Sequence, residues 1–317
     1  MGRVSTLEQM QKNLNSKMRL GESRHLAKDM ARQELQRLAP DKGVSAVLVR
    51  VDTIHSIRTR QAYEEHCTHF IQYCQQHCGK GKYTSLEKLE PLAKDYLAYG
   101  EEKGLSLYTL KAEKSALGKL YGHEIDYRFQ QARTIDKIKR SRETRENQMD
   151  KHFSEKRNIN LVTVCKGTGG RREDIGKLTP KDFFYDDKEN LWVCFNGSKG
   201  GRDRVAPVLP QYKESIERFL STKGKDEKLF DKVHSACDIH AYRREYAQSL
   251  YNIVKEDRDK QREYASMYPS RERKGNDTYY ARGDKETRFS GKKNDICIVS
   301  QALGHNRLDV TVNHYLK

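Results

Sequence analysis

Apolar positions in the first half of the chain recur at the three- and four-residue spacing of helices that bury one face. Leu7, Met10, Leu14 and Met18 mark a polar helix within residues 1–50, a stretch that Pro40 and Gly43 interrupt. Tyr63, Cys67, Phe70, Ile71, Cys74 and Cys78 fall on one face of a longer helix, which Gly79 to Gly81 end. Leu86, Leu89, Leu92, Tyr96 and Leu97 form a second stripe, closed by Gly104. Ser106 stands where an N-cap belongs, ahead of Leu107, Leu110, Leu117, Leu120 and Tyr121. The pattern predicts a polar helical N-terminal extension over 1–50 and a small all-α domain over 51–132.

The periodicity fades over 133–157, where charged residues predominate and predict a linker, or a solvated helix leading into the next domain. Beyond it the periods mix. Ile159, Val162 and Cys165 mark a short helix. Leu191, Val193 and Phe195 alternate as a strand, a turn runs from Asn196 to Gly201, and Val205 to Leu209 return as a second strand. Helices are expected near 211–221, 239–253 and 296–316. Between the last two, residues 252–295 carry 12 Lys/Arg and 9 Asp/Glu, with tyrosines as most of their apolar content, and read as a charged, exposed insertion. The expected class is mainly α, with a small β-hairpin or sheet in a second domain spanning 158–317.

Charge narrows the choice of partners. The 317 residues hold 61 Lys+Arg against 45 Asp+Glu, a net charge of +16, which builds a field that attracts polyanions such as nucleic acid. No stretch approaches the roughly 18 consecutive apolar residues of a membrane span. The first residues lack the apolar core of a secretion signal. Seven cysteines, scattered and odd in number, do not make a disulfide framework, so a cytoplasmic location and no membrane partner are expected. There is no P-loop, acidic metal cluster or dinucleotide fingerprint. His66, Cys67, His69, Cys74, His77 and Cys78 crowd one segment with zinc-ligand residue types. The cysteines there share the apolar stripe with Phe70 and Ile71, where a free thiol packs as a small hydrophobe. The expectation is therefore no bound metal.

Candidate chemistry gathers in the second half. A phenol ionises near pH ~10, so Tyr315 as a nucleophile needs an electrophile already polarised. Arginines do this for a phosphodiester, because the planar guanidinium grips two phosphoryl oxygens. Arg171 follows a glycine turn at the start of a helix, with Asp174 three residues on to hold its stem. His240 and Arg243 share a helix face and pair a proton-transfer group with a phosphate clamp. Lys199, on the hairpin turn, can protonate a leaving alkoxide. His305 sits on a turn ten residues before Tyr315.

Taken in order, this set resembles the tyrosine recombinase (phage integrase) family. TGGRREDIGKL over 168–178 follows the family's first arginine box, SKGGRDRVAP over 198–207 its lysine hairpin, and His240 to Arg243 its second arginine box. Leu303-Gly304-His305 and Tyr315 match the third motif and the nucleophile. Thr59, Tyr63, Phe70, Tyr73 and the segment GLSLYTLKAEKSALGKLYG look like the family's helical core-binding (SAM-like) domain. Arg244 and Glu245 depart from it, standing where the family usually has His and Thr or Ser.

The resemblance implies a two-domain clamp on duplex DNA that cleaves and rejoins strands through a 3′-phosphotyrosyl intermediate. It implies integration or excision of a mobile element, without metal, ATP or other cofactor. Tyr315 attacks, Arg171 and Arg243 stabilise phosphoryl charge, and Lys199 protonates the leaving 5′-oxygen. His240 handles the tyrosine proton and His305 bonds a phosphoryl oxygen. Arg58, Arg60, Lys111, Lys114, Arg202 and Arg204 are expected to contact DNA. Implied partners are double-stranded recombination sites, further copies of the chain as a tetramer on two sites, and accessory directionality or DNA-bending proteins. A silent DNA-binding protein of the same fold, or a type IB topoisomerase-like enzyme, are the rival readings.

Overall fold

Residues 4–38, 49–77, 85–131, 152–198, 202–269, 276–282, 286, 288–305 and 307–317 are described by the computed structural model. The chain divides into two units, Met1–Thr134 and Ile135–Lys317. The Cys78 to Gly81 helix stop, Lys199 and most of the 133–157 stretch lie outside the described residues.

The first unit is helical: α1 (Thr6–Ser16), α2 (Arg24–Leu38), α3 (Ile57–His77), α4 (Leu86–Leu89), α5 (Ala93–Glu102) and α6 (Leu107–Tyr121). Its core joins Cys67, Phe70, Ile71 and Cys74 of α3 to Tyr96 and Leu97 of α5 and to Ala116, Leu117 and Leu120 of α6. The described residues of the α3, α5 and α6 stripes are thus buried or packed against this core. The Ser106 hydroxyl accepts the Thr109 amide at 3.1 Å and caps α6, and Gly104 follows α5 at φ +71°. Residues 1–50 are not wholly an extension. Met10 and Leu14 of α1 are fully buried in the same core, because their apolar pair lies against α3. By contrast α2 has no buried residue and leaves Leu26, Met30 and Leu38 exposed.

The second unit starts with α7 (Ile159–Thr168) and α8 (Arg172–Ile175). An antiparallel sheet follows, β1 (Phe183–Tyr185), β2 (Leu191–Ser198) and β3 (Arg202–Pro207), in that spatial order. In it Val193 faces both Phe183 and Ala206. Then come α9 (Pro210–Leu220), α10 (Ile239–Glu256), α11 (Arg258–Ser266), the hairpin β4 (Thr278–Tyr280) and β5 (Ser290–Lys292), α12 (Lys293–Ala302) and α13 (Leu308–Thr311). A π-helical turn, Val312–Leu316, carries Tyr315. Helix α10, with Tyr242, Tyr246 and Leu250, runs through the core against α7, α12 and the π-helical turn.

Two boundaries move. Phe153, expected in the linker, is buried in the second core. The 252–295 stretch is not simply an exposed insertion. Tyr264 is buried, and it and Tyr268 meet Trp192 edge-on at 5.5 and 5.9 Å. Tyrosine can bury its ring while its hydroxyl stays bonded, as Tyr268 does to the Val205 carbonyl at 3.2 Å, so a stretch poor in aliphatics still joins the core.

Candidate active site

The site is built where three turns converge on α10. At the end of α7 the chain reverses through Gly169, in the left-handed conformation at φ +61°. A Cβ on Gly169 would stand 2.3 Å from the Tyr246 ring, so glycine alone brings this turn against α10. The reversal sets Arg171 just ahead of α8. Its amide donates to Asp174 Oδ2 at 3.0 Å, the usual way a first-turn carboxylate satisfies a free helix N–H. Its guanidinium donates to Ser198 Oγ at 2.9 Å and to the Leu303 carbonyl at 3.1 Å.

Arg243, on α10, is 1% exposed. Its two terminal nitrogens donate to the carbonyls of Gly169 and Leu303. Arg171 and Arg243 therefore share one carbonyl oxygen, which fixes both guanidinium planes. Burial, then the nearby positive charge of Arg204, lowers the Arg243 pKa to about 10, so it stays cationic at neutral pH.

Arg204 corrects one expectation. It is not a free DNA contact but a buried side chain of β3, 9% exposed, bonded to Asp174 Oδ2 at 2.8 Å and stacked over the Phe195 ring. Burial pushes its pKa down and Asp174 pushes it back up. For Asp174, burial raises the pKa, but the hydrogen bond and charge of Arg204 and the Arg171 amide outweigh it and hold the carboxyl low. Asp174 thus positions two arginines rather than one.

The turn Leu303-Gly304-His305 closes the site. Gly304 has φ +64°, and a Cβ there would lie 2.7 Å from Arg204 Cδ. His305 is anchored through its backbone, its amide bonding the Ser300 carbonyl at 2.7 Å and its carbonyl accepting the Ser300 hydroxyl at 2.8 Å. Burial, followed by the charges of Arg243, Arg171 and Arg204, lowers the His305 pKa to about 4. Its imidazole is neutral at pH 7 and can donate one N–H. The ring stands 5.5 Å from that of Tyr315, centroid to centroid. Tyr315 is half-buried, and its hydroxyl accepts from Arg243 Nε at 3.4 Å. Three guanidinium groups against one carboxylate leave a net positive pocket beside a phenol, suited to a phosphodiester.

Four of the six expected catalytic residues thus meet: Arg171, Arg243, His305 and Tyr315. His240 lies in the first turn of α10 and is exposed. Lys199 lies outside the described residues. The carbonyls of Gly169 and Leu303 cannot be singled out from sequence, since a backbone oxygen leaves no mark in residue type, and Ser198 stands in the hairpin motif without a sign that its hydroxyl meets Arg171. Arg172 carries no sequence signal for its role either. It donates to the carbonyls of His234 at 2.7 Å and Ser235 at 3.2 Å, holding the loop that leads to Asp238, the cap of α10.

The expected DNA contacts of the first unit separate into two kinds. Arg58 and Lys111 are exposed. Arg60 bonds Asn15 and pairs with Glu64, and Lys114 bonds Glu124 at 2.9 Å and the Tyr127 carbonyl at 3.1 Å. A cavity of about 690 Å³ opens in this unit, and Arg24, Lys28, Arg50, Lys111, Lys114 and Lys119 among its lining face a single acid, Glu124. Of Arg202, only the backbone in β3 is described.

No family model matches the chain, and no curated protein matches it. Among solved structures the chain is similar to the XerH site-specific recombinase bound to palindromic difH substrate, at 16% identity over 98% of this chain and 91% of that one, TM-score 0.49. It is similar to the Tn1549 transposon integrase in complex with transposon right end DNA, at 12% identity over 91% and 94%, TM-score 0.41. A third likeness is to XerA recombinase, at 15% identity over 82% and 88%, TM-score 0.28. Each of these three structures is named as a recombinase or an integrase.

Proposed function

We propose that the chain is a tyrosine recombinase that cleaves and rejoins DNA at specific sites, serving the integration or excision of a mobile element. The observation that carries this is the Tyr315 hydroxyl 3.4 Å from Arg243 Nε, with Arg243 and Arg171 anchored on one shared carbonyl. A structural tyrosine has no need of a buried guanidinium at its oxygen, a second guanidinium anchored on the same carbonyl, and a neutral histidine beside its ring.

In the reaction the Tyr315 oxygen forms a bond to phosphorus as the bond from phosphorus to the 5′-oxygen breaks. The phenolic proton leaves, and the 5′-oxygen gains one. One phosphodiester replaces another, so no nucleotide is consumed. Arg171 and Arg243 hold the non-bridging oxygens as their charge grows, and the neutral His305 adds an N–H donor. Arg243 Nε, already at the hydroxyl, favours the phenolate as it develops. His240, one turn earlier on the same helix and open to solvent, is the candidate acceptor of the phenolic proton. Lys199 is the candidate donor to the 5′-oxygen. The first unit's basic cavity supplies sequence-independent attraction for the phosphate backbone.

The test is incubation of the full chain with nicked duplexes drawn from the DNA flanking its own gene. A covalent protein–DNA adduct is expected that Tyr315→Phe abolishes while DNA binding persists. Binding without any adduct across those duplexes contradicts the enzyme and favours a silent DNA-binding protein. Relaxation of supercoiled plasmid without a specific site favours a topoisomerase.

A further inference from the structure

We infer that His66, His69 and Glu113 form a binding site for one divalent transition-metal ion of the zinc class in the first unit. The one ligand atom that each can offer lies within 4.8 Å of the other two. His66 and His69 are three apart on α3, so they share a face. Glu113 reaches them from α6, which packs along α3.

The independent sign is the state of the carboxylate. Glu113 is 3% exposed, yet its Oε2 has no hydrogen-bond partner among the described residues. Tyr96 is its hydrogen-bonding neighbour, and no arginine or lysine pairs with it among the described ion pairs. Nδ1 of His66 is likewise buried without a partner. An acceptor buried with nothing to accept is costly, and a cation between these groups removes that cost.

The donor set selects the ion. Two imidazoles and one carboxylate suit zinc and its first-row neighbours rather than calcium or magnesium, which take all-oxygen shells. Metal–ligand bonds of about 2.0–2.2 Å put tetrahedral ligand atoms roughly 3.3 Å apart, so the groups must close by up to about 1.5 Å. His69 is exposed, and so can turn inward and also admit the ion. Three protein ligands leave a fourth position for water. The cysteines of the same segment are not part of the site. Cys67 and Cys74 are buried in the core, as their place on the apolar stripe requires. Bound metal would cross-link α3 to α6 and stabilise this unit by linkage, separately from the chemistry at Tyr315.

The experiment uses the full chain stripped with a chelator and titrated with zinc ion alone. One ion per chain is expected at micromolar or lower free zinc, with a rise in melting temperature. Cobalt(II) in its place is expected to give visible absorption bands diagnostic of nitrogen ligation. His69→Ala removes an exposed ring, so it keeps the fold. It is expected to weaken zinc binding at least ~100-fold, beyond the 10- to 100-fold that outer-shell changes alone produce. Its melting temperature is expected to ignore zinc. Uptake of less than one zinc per wild-type chain overturns the site, as does wild-type affinity in either His69→Ala or Glu113→Gln.

Discussion

The two units differ in how much of their positive charge is held in place. In the second, Arg171, Arg204 and Arg243 are pinned by Asp174, Ser198 and three backbone carbonyls, those of Gly169, Leu303 and Ala302. In the first, four lysines and two arginines line an open cavity; Lys119 and Arg50 are tied to backbone carbonyls and Lys114 to Glu124, whereas Lys111 is exposed. A pinned guanidinium presents two donors at fixed angles to one phosphate, whereas a lysine on a four-carbon stem offers a mobile point charge. The first arrangement suits catalysis on a single phosphorus atom, and the second suits attraction to a long polyanion. Net charge of +16 describes neither, because it adds the two kinds together.

The comparison breaks most sharply at Asp174. Asp174→Ala leaves Arg204 buried without its carboxylate, and losing one partner of a buried pair costs about 3–5 kcal/mol. Urea unfolding is expected to show that loss, whereas removing the exposed acid Asp126, paired with Lys94 in the first unit, is expected to change stability by less than about 1 kcal/mol. Equal losses would mean that the second unit's charges are no more organised than surface pairs.

Arg171→Ala is next. Removing one preorganised donor from a developing charge costs about 10²–10³ in rate. Single-turnover adduct formation should slow by that factor while DNA affinity changes little. A large affinity loss with an unchanged rate would make Arg171 a binding residue instead.

How far these features could be read beforehand differs by unit for the same physical reason. The stripes of α3, α5 and α6 were legible because a helix repeats its buried face every three to four residues. The membership of α1 is not, since three apolar residues on a polar helix do not say which core they enter. Arg171, Arg243, His305 and Tyr315 were legible as an ordered set of residue types, and three-dimensional convergence follows from the glycine turns at 169 and 304. Arg204 reads as a DNA contact in the sequence because a charged residue beside a hairpin turn reads as exposed, and only the fold reveals the buried Asp174 beneath it. The 252–295 stretch reads as exposed because its few apolar groups, mostly tyrosines, stand among many charges, and only the fold shows two of those rings packing on Trp192. Glu113 lies on a different helix from His66 and His69, out of reach of any spacing rule.

Acid sharpens the contrast further. The folded-state pKa of His305 is lowered from its ordinary value of 6.5 to about 4 by burial and by its arginine neighbours. Between those two pH values the unfolded chain binds the proton and the folded chain does not, so stability falls as pH drops from about 6.5 towards 4. Above 6.5 this contribution to the pH dependence vanishes. His305→Gln is expected to flatten the slope of unfolding free energy over that window. A slope unchanged by the substitution would place the acid sensitivity elsewhere.

The smallest effect belongs to the first unit. Lys111→Ala is expected to weaken DNA binding a few-fold at low salt, evenly across sequences. It should lower the dependence of log affinity on log salt by about 1. The cleavage rate at saturating DNA should not change. A rate loss comparable to that of Arg171→Ala would erase the distinction between the two kinds of positive charge.

The identity of the residue that becomes linked to DNA decides between this account and its rivals. The covalent complex would be trapped on nicked duplex, trimmed with nuclease and digested, and its modified peptide sequenced by mass spectrometry. The account predicts a 3′-phosphonucleotide on the Tyr315 oxygen, in the peptide that follows the Leu303-Gly304-His305 turn. A nucleotide carried by any other of the 18 tyrosines, or by a serine, would contradict it.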